Sequence, residues 1–504
     1  MTGSAAASQS SANLSARDVS RGLLTLFMVE MWERFAFYGM RALLVLFLVA
    51  PAANGGLALP DSSAAAIYGL YTAMASLMGV VGGWAADRGL GARRCVEIGG
   101  WLNIAGNGLV ALGALQLNPG LCFVGLALDA TGTGFLKPNA SVAVARLFPE
   151  GGERRDAGFG FFYMGINLGA VIGSLLVPVL AVQVGWWAGF VAAALGMGLG
   201  LLQWYLSTTT RLFDAPGGVV RLTVRGWRDY LASGAWIAVG SIALGFFAFG
   251  LLRDPVMLAQ FSTGAMVLIG VLGFAYVWTR EDLSKSQRRN LGGVCALGSC
   301  ISIFLVGYQQ GGTSISLFIQ RFVDRSVAGW EIPAGAFQSL IPASIIVLSP
   351  LVAFGWLALS RRGISLPPAV KMGTGIGLLG MAFAVMAVAA AQAAVLGSVS
   401  VVWIVAVFVV ITLGDLLVYP VFLSAVSALS PPSRASLVMG LTSVFSGMGN
   451  LLSSLVAGTM VLTQPAQIAA SFQRLSLFGI LIGAVIVGAG WWWSRRAAVA
   501  VKAR

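Results

Sequence analysis

Between residues 21 and 494 the chain is a near-unbroken succession of apolar runs, each of bilayer-crossing length and separated from the next by a short polar loop. A spanning segment needs about 20 mostly apolar residues, because without water every backbone N–H and C=O must be paired inside the segment, which a helix achieves. Fourteen runs can be marked, at 21–50, 64–85, 94–115, 120–146, 157–182, 186–206, 231–252, 257–279, 290–320, 333–360, 367–391, 396–428, 433–463 and 467–494. With 58% hydrophobic and 10% charged residues, the composition fits no soluble globular domain. The expected fold class is an all-α membrane protein with 14 transmembrane helices.

The longest polar interruption, 207–230, divides a six-helix half at 21–206 from the remainder. A second six-helix half at 290–494 follows, which leaves 207–289 as a cytoplasmic linker carrying an inserted two-helix hairpin. Residues 1–20 are polar, without the apolar core or cleavage site of a signal peptide, and are expected to be a disordered cytoplasmic tail; 495–504 is expected to be a second one. The net charge of +13 sits in short loops, so it reports orientation and gives no reason to expect nucleic acid. Alternate loops are basic, as at Arg88, Arg93 and Arg94 or Lys285, Arg288 and Arg289, while those between them are nearly free of Lys and Arg. Both termini are therefore predicted to be cytoplasmic, in a bacterial inner membrane.

Enzyme chemistry finds little footing. The chain has no histidine, "GTGFLKP" lacks the spacing that cradles phosphates, and Cys95, Cys122, Cys295 and Cys300 show neither metal nor disulfide spacing. No cofactor and no metal is expected, and nothing calls for more than a monomer in the lipid bilayer.

The charges inside the oil carry the functional signal. "VEMWERFAFYGMRALLVLFLVA" (29–50) places Glu30, Glu33, Arg34 and Arg41 in one apolar run. At about 100° per residue, Glu30, Arg34, Phe37 and Arg41 fall within about 60° of one another, with Glu33 and Tyr38 on the flanks. Each unpaired charge at the bilayer centre would cost about 2.5–3.5 kcal/mol, so the stripe must be paired or wet. The fourth run repeats the anomaly, with Asp129, Thr133 and Lys137 at four-residue spacing. Lys137 is expected to pair with a first-helix carboxylate and Asp129 to hold Lys137. A purely structural ion network is the alternative. Desolvation favours a neutral carboxyl and a nearby cation favours an ionised one, so moving the cation can load or release a proton. Asp415 is the lone buried charge of the second half.

Six stretches, in order, carry a resemblance. "EMWERFAFYGMRALL" (30–44), "GGWAADRGLGARR" (82–94), "GTGFLKPNASV" (132–142), "GFFYMGINLGAVIGSLL" (160–176), "AFQSLIP" (336–342) and "GDLLVYPVFLSAV" (414–426) resemble the motifs of the proton-dependent oligopeptide transporter family, a branch of the major facilitator superfamily. The resemblance implies two six-helix bundles plus the inserted hairpin, and proton-coupled import of di- and tripeptides by alternating access. It implies that Glu30, Glu33, Arg34 and Lys137 couple protons, that Asn167 and Tyr38 meet the peptide, and that Asp87, Arg88, Arg93 and Arg94 form a cytoplasmic gating loop. Small peptides and protons are the implied partners.

Departures from the family pattern fall in the second half. Gln309 in "VGYQQGGTS" stands where the family has Glu, Ile341 where it has Asn, Asp415 where it has Glu, and Tyr419 where it has Ser. Those positions, with Arg41, are candidate substrate contacts in a remade pocket. Asp129 and Asp415 are candidate replacements in proton coupling. A same-fold carrier of a non-peptide small molecule or modified peptide, and a non-transporting sensor, therefore stay open.

Overall fold

The computed structural model describes residues 15–148, 152–213, 247, 250–279, 283–327, 329–364, 366–431 and 435–502. Its helices are α1 (Ala16–Val49), α2 (Asp61–Ala85), α3 (Gly91–Gln116), α4 (Pro119–Leu147), α5 (Gly152–Gln183), α6 (Trp186–Leu206) and α7 (Pro255–Trp278). They continue with α8 (Lys285–Tyr308), α9 (Ser314–Phe322), α10 (Leu340–Arg361), α11 (Pro368–Leu396), α12 (Val401–Leu429), α13 (Ala435–Gly458) and α14 (Pro465–Lys502). Eleven described segments are long and apolar enough to cross a membrane. Two short strand pairs interrupt the helices, one parallel between Val323–Asp324 and Val399–Ser400, the other antiparallel between Ser326–Val327 and Trp330–Glu331.

The chain forms two compact units, one of residues 1–58 and 74–255, the other of residues 59–73 and 256–504. Helix α2 thus gives its first half to the second unit and its remainder to the first. The expected tail at 1–20 ends earlier than predicted. α1 starts at Ala16 because the Ser15 side chain accepts the Asp18 N–H and Asp18 sits in the favourable first turn, a cap that a reading by hydropathy passes over. At the other end α14 runs on through 495–502, so the expected C-terminal tail is largely helix. Residues 1–14 lie outside the described residues, as does nearly all of the expected span 231–252, the first helix of the predicted hairpin. The second is α7, whose Met266, Phe274 and Gly273 pack on Gly447, Phe445 and Leu441 of α13.

Close helix approach sets the first unit's geometry. Gly165, Gly169 and Gly173 recur every four residues on α5, and a Cβ at Gly169 would lie 2.0 Å from the Met31 carbonyl of α1. Small residues let backbones touch where lipid supplies no hydrophobic drive between helices. On α3 and α4, Gly106 and Gly125 interlock in the same way, a Cβ on Gly106 falling 2.6 Å from the Asp129 nitrogen. Around these contacts Leu26, Val29, Val96, Leu136, Phe162 and Trp204 form a buried core.

In the second unit the expected span 290–320 is broken. α8 ends at Tyr308, Gln309–Gly312 form a 3-10 turn, and α9 resumes at Ser314. A Cβ on Gly312 would lie 2.1 Å from the Tyr68 hydroxyl oxygen, so a larger residue there would push aside the Tyr68 ring of α2.

Candidate functional site

The first unit buries a charged triad on one face of α1. Arg34 Nε lies 3.2 Å from Glu30 Oε1 and also contacts Glu33 Oε2. Relative exposures of 1% for Glu30, 0% for Glu33 and 3% for Arg34 mean that the pairing is made out of water, where a lost partner would leave an uncompensated charge. The face continues along α1 through cation–π contacts. The Arg34 guanidinium sits 5.3 Å from the Phe37 ring centre, and Arg41 sits 5.7 Å from Phe37 and 5.3 Å from Tyr38. The glycine stripe of α5 holds this face in place by seating α5 directly on the α1 backbone.

Helix α4 reaches the triad through a residue type that hydropathy ignores. The Thr133 hydroxyl donates to Glu33 Oε1 at 3.0 Å. Lys137, one turn further along, is exposed and acts electrostatically on Glu30, Glu33, Arg34 and Arg41. The expected direct ion pair between Lys137 and a first-helix carboxylate is not formed among the described residues; Arg34 contacts both carboxylates from within α1 instead. Nor does Asp129 serve Lys137. Eight residues of helix separate them by about 12 Å of rise, and Asp129 accepts from Asn107 Nδ2 of α3 at 2.6 Å. Asn167 is buried on α5 with its amide donating to the Tyr163 carbonyl at 3.0 Å.

At the loop between α2 and α3, Ala86–Leu90 form a π-helical turn that ends at Gly91, whose φ of 76° suits glycine. Asp87 and Arg94 are exposed there. Arg93 pairs with Glu97 at 3.0 Å, and Glu97 also accepts from Trp204 Nε1 at 3.2 Å. Glu97 was not among the expected residues, though its place four positions after Arg93 was a readable signal. The Arg88 side chain lies outside the described residues.

The second unit gathers neutral polar groups around its helix break. Gln309 Nε2 donates to Asn450 Oδ1 at 2.8 Å. Gln310 Nε2 donates to the Ser453 carbonyl and hydroxyl at 3.0 and 3.1 Å, while Gln310 Oε1 accepts from Ser314 at 2.6 Å. Gln338 donates to the Ser316 hydroxyl, which in turn donates to the Gly311 carbonyl that the break leaves open. Ile341 packs beside Gly311, with its Cδ1 3.8 Å from where a glycine Cβ would stand. Asp415 is half-buried on α12 and makes no hydrogen bond or ion pair among the described residues; Tyr419, one turn on, is exposed. Gln309 thus lies in the break and Ile341 beside it, whereas Asp415 and Tyr419 sit on a separate helix. Gln310, Asn450, Ser453 and Ser316 were missed from sequence, since small hydroxyls and amides in apolar runs resemble ordinary helix packing.

The family model described as PTR2, POT family, matches residues 94–475. A peptide transporter of Yersinia enterocolitica is 34% identical over 92% of each chain. A di-/tripeptide transporter of Lactococcus lactis is 32% identical over 93% of this chain and 94% of its own. The crystal structure of a variant of the peptide transporter POT in complex with alafosfalin superimposes with a TM-score of 0.81 at 30% identity, over 93% of this chain and 94% of that one. That of a POT family transporter in complex with 5-aminolevulinic acid gives a TM-score of 0.82 at 26% identity, over 93% and 96%. These relatives are transporters and not enzymes, and they share the major facilitator fold. From its buried Glu30–Arg34–Glu33 face to the matching relatives, the chain is an integral membrane protein that belongs to the POT family.

Proposed function

We propose that this protein imports di- and tripeptides in symport with protons by alternating access. The observation that carries the reading is the buried Glu30–Arg34–Glu33 triad, with Thr133 bonded to it and Lys137 within its field. Two carboxylates share one guanidinium there, so protonating either one redistributes the pairing without leaving a buried charge alone. In this reading Tyr38, Arg41 and Asn167 are the first unit's candidate substrate contacts, and Gln309, Ile341, Asp415 and Tyr419 are the second unit's. Asp87, Arg88, Arg93 and Arg94 form the gating loop. In this reading both termini lie in the cytoplasm of a bacterial inner membrane, which the basic loops support, and the protein is a monomer.

The test is uptake of labelled dialanine into proteoliposomes under an inward proton gradient, with and without an uncoupler. Uncoupler-sensitive accumulation is expected. A folded protein that shows none would sink the reading.

A second reading, transport of a modified peptide or another small amino compound, draws on the neutral Gln309–Asn450 pair and the apolar Ile341. Relatives were solved with alafosfalin and 5-aminolevulinic acid, which widens the chemistry worth assaying. Competition of such compounds with labelled dialanine separates the two readings. Counterflow separates either from a sensor, which binds without turnover.

A further inference from the structure

We propose that Asp129, together with Asn107, is a second proton-binding site in the first unit, coupled to Glu33 through Thr133 and Asn103. This rests on the proton-symport reading and extends it to a residue outside the α1 triad.

Asp129 is 1% exposed in the middle of α4, which crosses the membrane. A carboxyl group enclosed in this way persists either as an ion held by donors or as a neutral acid, and the protein must provide for whichever form it uses. Both provisions are visible. Asn107 Nδ2 donates to Asp129 Oδ1 at 2.6 Å, shorter than the usual N–H···O bond. The other end of the same amide, Asn107 Oδ1, is fully buried and has no hydrogen-bond partner. Buried acceptors are rarely left so. A proton on Asp129 is a donor that Oδ1 can accept once the amide turns over, and the turn exchanges the Nδ2 bond to the Asn103 carbonyl for it, so protonation at Asp129 is felt at Asn103.

The site is linked to the triad. Asn103 Nδ2 donates to the Asp129 carbonyl at 2.8 Å and lies 3.4 Å from the Thr133 hydroxyl, which itself donates to Glu33. Asn107 Nδ2 also donates to the Asn103 carbonyl at 3.0 Å. Thr133 is one turn from Asp129, about 6 Å along the axis, so the charge on one carboxylate is felt by the other in a region of low dielectric.

Ionisable groups stand on several of the helices around the site. From α1 the neighbouring charges are Glu30, Glu33, Arg34 and Arg41, with Arg34 engaged by both glutamates. On α3 the nearest charge is Glu97, nine residues from Gly106, the position that abuts Asp129. α4 itself adds Lys137 and, towards its start, Cys122; α5 adds Tyr163.

The experiment measures the steady-state accumulation ratio of labelled dialanine in proteoliposomes at a fixed pH gradient of about one unit. That ratio, unlike a rate, depends on how many protons move per substrate. Each coupled proton multiplies it by about tenfold. Asp129→Asn is expected to lower the ratio by about that factor. A ratio equal to wild type would overturn the second site and leave the symport reading standing. Wild-type accumulation insensitive to an uncoupler would overturn both. Should Asp129→Asn fail to fold, Asn107→Ala keeps the carboxyl group and removes its partner. There a wild-type ratio again overturns the site, and a lowered one supports it.

Discussion

The Thr133 hydroxyl donates to Glu33 Oε1 across 3.0 Å, so α4 touches the charged face of α1 through a neutral side chain while Lys137 acts on it from the next turn. Glu33→Gln removes one of two carboxylates on Arg34 and fixes a neutral group where a proton would come and go. Lys137→Ala removes the cation whose movement shifts the balance. Both variants are expected to lose uncoupler-sensitive accumulation. Wild-type accumulation by either, measured as labelled dialanine uptake against its gradient, would remove that residue from the coupling scheme.

The α3–α4 contact sets where Asp129 and Thr133 stand, and Gly106 is one of its tight points. A Cβ there would meet the Asp129 nitrogen at 2.6 Å and the Gly125 carbonyl oxygen at 2.7 Å, both backbone atoms that no rotamer change can move. Gly106→Ala should therefore cost about 1–3 kcal/mol by forcing the helices apart. Thermal unfolding in detergent checks this, with Gly108→Ala, whose Cβ meets nothing within 4 Å, as the control. Equal midpoints for the two variants would show that the contact is loose.

Much of the first unit was legible because helical periodicity alone puts Glu30, Arg34, Phe37 and Arg41 on one face, and four-residue spacing puts Asp129, Thr133 and Lys137 on another. Spacing cannot say which member of a face touches the neighbour. Thr133 meets Glu33 because Lys137 is longer and sits a turn further along, a fact of helix offset that no single sequence carries. Asn103 and Asn107 gain meaning only from α4, more than 20 residues away in the chain. The break at Gln309–Gly312 was hidden for a different reason. Paired glycines are common wherever helices pack in lipid, so "QQGG" reads as packing until the Gln310 and Ser316 side chains are seen to bond the groups around the break.

Arg321 at the end of α9 holds Asp61 at the start of α2 with two bonds, 2.7 and 2.8 Å, and donates to the Leu462 carbonyl at 2.9 Å. The pair joins positions 260 residues apart within the second unit. Arg321 and Asp61 are 27% and 22% exposed, so solvent screens much of the attraction, and the planar two-bond geometry recovers part of it. A double-mutant cycle of Arg321→Ala and Asp61→Ala, read by unfolding in detergent, should give a coupling of about 1 kcal/mol that shrinks in high salt. Additive losses would mean that the two residues act independently.

Asp415 is the acidic residue of the second unit's candidate contacts, half-buried on α12 and without a hydrogen bond or ion pair among the described residues. The neighbouring candidates differ in kind. Gln309 is neutral and already bonded to Asn450, and Ile341 has no polar atom to offer. If the substrate's free amine is held in this unit, Asp415 is the group chemically suited to hold it, because a charge-assisted bond to an ammonium is about twice as strong as a neutral one. Asp415→Asn should then weaken dialanine binding by about 1.5–3 kcal/mol, the typical contribution of a hydrogen bond to a charged group. An amine-blocked analogue should lose far less. Competition against labelled dialanine, run for both ligands on both proteins, gives the comparison. Equal losses would take the amine away from Asp415 and move the search for its partner to the first unit, where Glu30 and Glu33 are already engaged by Arg34.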